Sequence, residues 1–338
     1  MNAPPASDNL LDPPAEGTFI SFDDSFGVRF LLVVDTEEEF DWSAPFDRAN
    51  QRVAALGGMA RGHTYFAQAG VRPLYVTDYP VVADARARSM MAQWVADGTA
   101  DIGAHLHPWV TPPHEEQVNA ANSYAGSLPE ALERAKLSHL RDRLTDAFGT
   151  APLAYRAGRY GIGPNTATIL RDLGFRVDTS VRSRFDYSAQ FGPNFSGMPL
   201  RPYRTGPDQV LIELPLSTAY VGALRRAGDA LYPAVSRYAP LVGGLAKLGL
   251  IERVPLSPEG VPLGDAIRAI DTLLADGLRL LMFSFHSPTL EPGNTPYVRN
   301  ANELDDFYRW WDGVLGHMAK RGVSPASLDQ IIAAVLPG

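Results

Sequence analysis

The stretch "DIGAHLHPW", residues 101–109, places His105 and His107 two positions apart at the end of an apolar run. In an extended strand, side chains at i and i+2 share a face, so both imidazoles converge on one point while Leu106 packs on the other side. Other polar residues also sit where apolar runs stop. They are Asp35 and Glu37 in "DTEEEFD", Asp78 after "YVT", Arg156 and Arg159 in "YRAGRYG", Asp178 in "RVDTS" and His286 in "FSFHSPT". Each alone has a structural explanation, as a solvated turn, an interior histidine or a rim ion pair. Together, two imidazoles and one or two carboxylates form a nitrogen–oxygen ligand set suited to Zn2+, with Mn2+ and Co2+ as alternatives. An open position on such a metal polarises a carbonyl and lowers the pKa of water. A spare carboxylate then serves as base and a separate histidine as acid. The parts describe metal-assisted hydrolysis, and no phosphate-binding glycine loop competes with it.

Seven apolar runs must position these groups: 29–34, 72–77, 100–106, 153–158, 175–180, 210–217 and 278–285. They alternate with helix-patterned stretches, clearest at 129–148, 165–173 and 264–276. Near-continuous apolar strands between amphipathic helices predict an α/β fold with a parallel sheet, and seven such units favour a barrel over an open sheet. In that architecture functional groups gather at the C-terminal strand ends, where these residues lie. Residues 220–250 break the alternation and read as one or two inserted helices. They form either a packing pair on the barrel or a lid or peripheral membrane-contacting face. Residues 1–27, rich in proline and acid, read as a flexible arm preceding one barrel domain over 28–338.

A chain of 338 residues with 45% hydrophobic content can bury a large core. The net charge of −8, without a long basic run, argues against nucleic acid as a partner. The absence of cysteine removes disulfides, thiolate nucleophiles and sulfur-ligated metals together. The N-terminus lacks the basic-then-apolar pattern of a signal peptide and no apolar run reaches spanning length, so the expectation is a cytoplasmic protein. The sequence is silent on oligomeric state.

With these motifs in place, the chain resembles the polysaccharide deacetylase superfamily, the NodB-homology carbohydrate esterases. The ordered motifs run from Asp35 to His286, about three quarters of the chain. "VVDTEEEFDW" resembles the family's first motif, which implies Asp35 as base and Glu37 as a metal ligand. "DIGAHLHPW" resembles the metal-histidine motif, "YRAGRYG" the arginine motif, "RVDTS" the fourth motif and "FSFHSPT" the final one, carrying the acid His286. The family's usual motif spaces its histidines four apart, which would put Trp109 at the second position. Here either His107 replaces the usual ligand from its same-face position or the metal site is incomplete, with His114 a weaker substitute.

The resemblance implies a distorted (β/α)7-type barrel and a metal-dependent hydrolase that removes an N-acetyl or related acyl group from a sugar or glycan precursor. Arg156 is expected beside Asp35 and Asp178 beside His286. Asp78, Trp109, Arg159 and Tyr160 are expected to meet substrate, with a backbone N–H near Tyr160 facing the oxyanion. Two other readings stand beside it: an inactive barrel that binds glycans or a partner, and a metal-independent amidohydrolase acting on a non-peptide C–N bond.

Overall fold

In a parallel sheet covered by helices, strands are buried on both faces, and consecutive side chains face opposite layers. The computed structural model, which describes residues 8–41 and 44–335, sorts the apolar runs in this way. The strands are β1 Val28–Thr36, β2 Leu74–Thr77, β3 Asp101–Leu106, β4 Ala154–Ala157, β5 Val177–Asp178, β6 Tyr203–Thr205, β7 Leu211–Glu213, β8 Thr218–Val221, β9 Glu252–Pro255, β10 Leu280–His286 and β11 Val323–Pro325. The helices are α1 Leu56–Gln68, α2 Tyr79–Ala83, α3 Ala85–Ala96, α4 Glu130–Phe148, α5 Thr166–Asp172, α6 Gly228–Val235, α7 Ala239–Lys247, α8 Leu263–Ala275, α9 Ala301–Lys320 and α10 Leu328–Val335. All seven expected strands are present, with ends differing by a few residues.

The sheet runs β10-β1-β2-β3-β4-β5-β7-β6, with β11 beside the start of β1. From β10 to β5 and on to β7 the pairing is parallel, and β6 is an antiparallel edge. The sheet curls, and isolated hydrogen bonds close the ring. Leu216 N donates to Val181 O at 2.9 Å, Leu256 N to Ser217 O at 3.0 Å, and Ser284 N to Leu256 O at 3.2 Å. This α/β barrel is therefore distorted along one seam.

Three apolar clusters follow the strand alternation. Leu31 and Val33 of β1, Leu74 and Val76 of β2, Ala154, Val177, Ile212 and Met282 face the barrel interior. Phe30, Leu32 and Val34 face outward onto α1, α8 and α9. Ala104, Leu106, Tyr155 and Ala157 face α4 and α5.

Two expectations about the ends and the insertion change. Within the expected flexible arm, residues 1–7 lie outside the described residues, whereas the rest packs. Leu10, Ile20, Phe22 and Phe26 are buried, and Ile20, Phe22 and Phe26 enter the barrel cluster with Leu328, Ile331 and Val335 of α10. Arg279 clamps the same stretch through the carbonyls of Phe22, Asp23 and Gly27. Scattered apolar residues among prolines suffice to plug a hydrophobic barrel foot. The 220–250 stretch begins in a strand, since β8 pairs antiparallel with β9 and α6 and α7 lie between them. Those helices pack on a small cluster of Tyr220, Tyr232 and Ile251, and leave Tyr238, Leu241 and Leu248 exposed. Among the described residues no helix is long and apolar enough to cross a membrane.

Candidate metal and catalytic site

The interior parity of β1, set by Leu31 and Val33, continues through Asp35 and Glu37. The same parity places His105 with Gly103 on β3, Arg156 with Ala154 on β4, and His286 with Met282 on β10. Register completes the convergence, because Asp35 lies opposite His286 and His105 opposite Arg156. These strand ends open into a cavity of about 320 Å³ that is lined by Asp35, Glu37, His105, His107, Glu259 and His286 on one side.

Both imidazoles meet one carboxylate. Glu37 Oε2 lies 3.4 Å from His105 Nε2 and 3.3 Å from His107 Nε2, and all three side chains are buried. The opposite ring nitrogens are occupied. His105 Nδ1 donates to Arg156 O at 3.0 Å and His107 Nδ1 to Glu38 Oε2 at 2.9 Å, which directs both Nε2 atoms toward Glu37. Glu37 Oε1 is buried without a hydrogen-bond partner. An orphaned carboxylate oxygen among inward-facing imidazole nitrogens fits a divalent cation in type and number of donors. Gly158 makes room for this arrangement, since a Cβ there would collide with the His107 ring and with Leu106 O.

Electrostatics agree with a site built for positive charge. Burial alone would raise the Glu37 pKa, but the His286 charge and the bonds from His105 and His107 outweigh it and lower it. Burial also opposes a charged His107, yet Glu38 and Glu37 overcome that and raise its pKa well above the usual imidazole value. Behind His107, Glu38 and Asp78 form a buried carboxyl pair. Burial and the neighbouring Glu38 push Asp78 well up, so Asp78 keeps the proton and Glu38 stays ionised toward His107.

Asp35 bridges the acid and arginine positions. Arg156 Nη1 donates to Asp35 Oδ1, while Arg156 Nε donates to Thr179 O at 3.1 Å. Asp35 Oδ2 is 3.8 Å from His286 Nε2. The Arg156–Asp35 contact matches expectation. The Asp178–His286 contact does not form. Val177 faces the barrel interior, so Asp178 faces the other layer, where it lies opposite Glu213 and accepts from Ser180 Oγ at 2.6 Å. The carboxylate on His286 is Glu259, which accepts from Nδ1 at 2.7 Å and from the backbone N at 3.0 Å. Burial opposes the charged ring, but Glu259, Glu37 and Asp35 push the His286 pKa up to about 9. Glu259 follows β9 in a proline- and glycine-bearing loop, so its place after a strand is the signal that could have flagged it.

Four residues were expected at substrate. Arg159 and Tyr160 line the cavity. Asp78 and Trp109 are fully covered and do other jobs. Asp78 caps α2 through Val81 N at 2.9 Å and accepts from Glu38 N at 2.8 Å. Trp109 Nε1 donates to Glu38 Oε1 at 3.0 Å, and its ring stacks 4.4 Å from that of His107. Both thus position His107 through Glu38. His114 is exposed on the following loop, so His107 is the histidine that joins His105. Lys136 of α4 pins that loop through the carbonyls of Pro108, Thr111 and Pro113.

The far side of the cavity is made by turns. Arg159 and Tyr160 hold consecutive positive φ angles of 54° and 60°. Left-handed backbone at two non-glycine residues costs on the order of 1–3 kcal/mol each and persists only where surrounding contacts impose it. It turns both side chains into the cavity beside Tyr124, Arg182 and Tyr187.

No protein-family model matches the sequence, and the comparison with curated proteins gives no match. Polysaccharide deacetylases are among the solved structures similar to the chain. One is a Mycobacterium smegmatis protein assigned as a polysaccharide deacetylase, with 16% identity and a TM-score of 0.48 over 94% of this chain and 98% of that one. A 4-α-glucanotransferase from Thermococcus litoralis has 10% identity and a TM-score of 0.53 over 91% of this chain, and this chain spans only 40% of its length. A GH57 branching enzyme from Thermococcus kodakaraensis has 12% identity and a TM-score of 0.51 over 93% of this chain and 72% of that one. None of the three likenesses reaches beyond the fold.

Proposed function

We propose that this chain is a metal-dependent hydrolase of the deacetylase kind, removing an N-acetyl or related acyl group from a sugar. Glu37, His105 and His107 would hold a divalent cation, with zinc the best match to two imidazoles and a carboxylate. The observation that carries the reading is the Glu37 carboxylate shared by two imidazole Nε2 atoms, one oxygen left without a partner, beside the Asp35–His286 pair in one cavity. When bound, the cation would polarise the acyl carbonyl and make water a better nucleophile.

The remaining chemistry falls to the protein. Asp35, fixed by Arg156, accepts a proton from the attacking water as its oxygen bonds to the acyl carbon. His286, held by Glu259, donates a proton to the departing sugar nitrogen as the C–N bond breaks, so that an amine leaves rather than an amide anion. The backbone N–H near Tyr160 is the candidate donor to the developing oxyanion. The products are a carboxylic acid and an amino sugar. Glycosyl transfer, the activity named for the glucanotransferase, requires two carboxyl groups free to flank a glycosidic bond. Here Glu37 contacts two imidazoles and Asp35 contacts Arg156, which favours the acyl-transfer reading.

The test is acetate release from a panel of N-acetylated monosaccharides, nucleotide-linked sugars, lipid-linked sugars and oligomers. Protein stripped by chelation and reloaded with zinc is expected to turn over at least one class, and chelation to abolish it. Full zinc occupancy with no turnover across the panel overturns the reading.

A further inference from the structure

We propose that the far side of the cavity is a subsite for an anionic group, a phosphate or carboxylate, carried by the substrate and gripped by Arg159 and Arg182. The inference rests on the hydrolase reading for what lies opposite these arginines. In a chain of net charge −8, carboxylates are plentiful, yet among the described residues none lies within ion-pair distance of either guanidinium. Both side chains line the same cavity as Glu37 and His105.

Aromatic faces support these charges instead. The Arg159 guanidinium sits 4.1 Å from the Tyr124 ring centroid and 5.0 Å from that of Phe46. Arg182 sits 4.1 Å from Phe185 and 5.1 Å from Tyr160. Their polar contacts are neutral oxygens: Ser123 Oγ and Gln190 Oε1 for Arg159, and the Tyr187 hydroxyl at 2.8 Å for Arg182. A third guanidinium, Arg253, lies 3.6 Å from the Phe185 ring centroid and, among the described residues, likewise has no carboxylate within ion-pair distance, so positive charge accumulates behind this side. The Tyr124 hydroxyl, buried at the cavity edge, lies beside the Arg159 guanidinium.

Each guanidinium carries five N–H donors, more than these neutral contacts use, and its planar fork matches the paired oxygens of phosphate or carboxylate. In a small cavity with low-dielectric aromatic walls, the unpaired positive charge is little screened and favours an anion. A neutral polymer of N-acetyl sugars would cover both charges without supplying a counter-charge, which selects against it. The positive φ angles at Arg159 and Tyr160 belong to this side, where the backbone accepts strain to aim the first fork.

The test is calorimetric binding to metal-stripped protein, in which no bound cation adds its own charge and the arginine variants separate the turn side from the charged His286. The probes are N-acetylglucosamine, its 1-phosphate and the corresponding uronic acid, with inorganic phosphate as competitor. One charged sugar is expected to bind tighter than the neutral sugar by on the order of tenfold or more, because hydrogen bonds to charged groups are the stronger ones. Which of the two does so separates a phosphate from a carboxylate. The advantage should shrink in high salt in the wild type, weaken in Arg182→Lys and disappear in the Arg159→Gln/Arg182→Gln double variant. Equal affinity for charged and neutral sugars, no measurable binding of either charged sugar, or an advantage untouched by salt and by both variants overturns the subsite. The salt series needs no variant to fold. A charge preference without acetate release from zinc-loaded protein supports the subsite while overturning the hydrolase. Acetate release at equal kcat/KM from neutral and charged sugars does the reverse.

Discussion

On one side of the cavity, Asp35, His105 and His286 leave strands that pair with their neighbours up to the reacting groups. On the other, Arg159, Tyr160, Arg182 and Tyr187 sit in turns, two of them in left-handed backbone. The strand side is internally balanced, with carboxylates, imidazoles and Arg156 answering one another at 2.5–3.8 Å. The turn side carries surplus positive charge on aromatic supports. On the proposed reading, the difference assigns bond-breaking and substrate selection to separate structural layers: ladders hold the reacting groups in register, while turns set which molecule is held.

The largest expected effect is on the strand side. Asp35→Asn and His286→Ala should each lower kcat by on the order of 10²–10⁴, the usual loss for a positioned base or acid, with zinc content unchanged. Acetate assays with metal analysis on the same samples check this, and either variant retaining most of the wild-type rate breaks the assignment of chemistry to this side.

An intermediate effect is expected one layer back. Glu38→Gln weakens the charge on His107 Nδ1 and should lower zinc affinity by on the order of 10–100-fold, as measured by chelator competition. Unchanged affinity would show that the ring is oriented by its stacking on Trp109 alone.

The smallest effect lies under the turn side. Glu133 of α4 accepts from Thr166 Oγ1, which in turn accepts from Gly163 N, and its carboxyl is pushed up to about 7, chiefly by burial. The folded chain therefore keeps a proton that the unfolded chain releases from about pH 4.5 upward, so stability falls as pH rises from about 4.5 to about 7 and levels above it. Glu133→Gln should remove that slope and melt higher than wild type at pH 8 while matching it near pH 4.5. Parallel melting curves at both pH values would show that burial of this carboxyl carries no cost.

Much of the strand side was legible because buried parallel strands read as unbroken apolar runs, and period-two alternation carries Asp35, Glu37, His105 and His107 inward. The same rule, applied from Val177, excludes Asp178 from the interior, so that correction was available one residue away. Glu259 was not legible, since a four-residue strand after two helices has too few positions to show a period. Asp78 and Trp109 illustrate a different limit. A polar residue at a strand end can face substrate, cap the next helix or brace a neighbour, and the choice depends on Glu38 beside them. The unpaired state of Arg159 and Arg182 is wholly tertiary, because it depends on which carboxylates fail to reach them.

The foot of the barrel bears on how any substrate moves. Ile20, Phe22 and Phe26 from one end of the described chain and Leu328, Ile331 and Val335 from the other close the strand N-termini. Above them Leu31, Val33, Leu74 and Val76 fill the axis with no exposed surface. The cavity is thus closed toward the barrel foot and is reached from the strand C-terminal ends. A polymer therefore cannot pass along the barrel axis, and any part of it that meets Glu37 and His286 enters and leaves at the strand C-terminal ends.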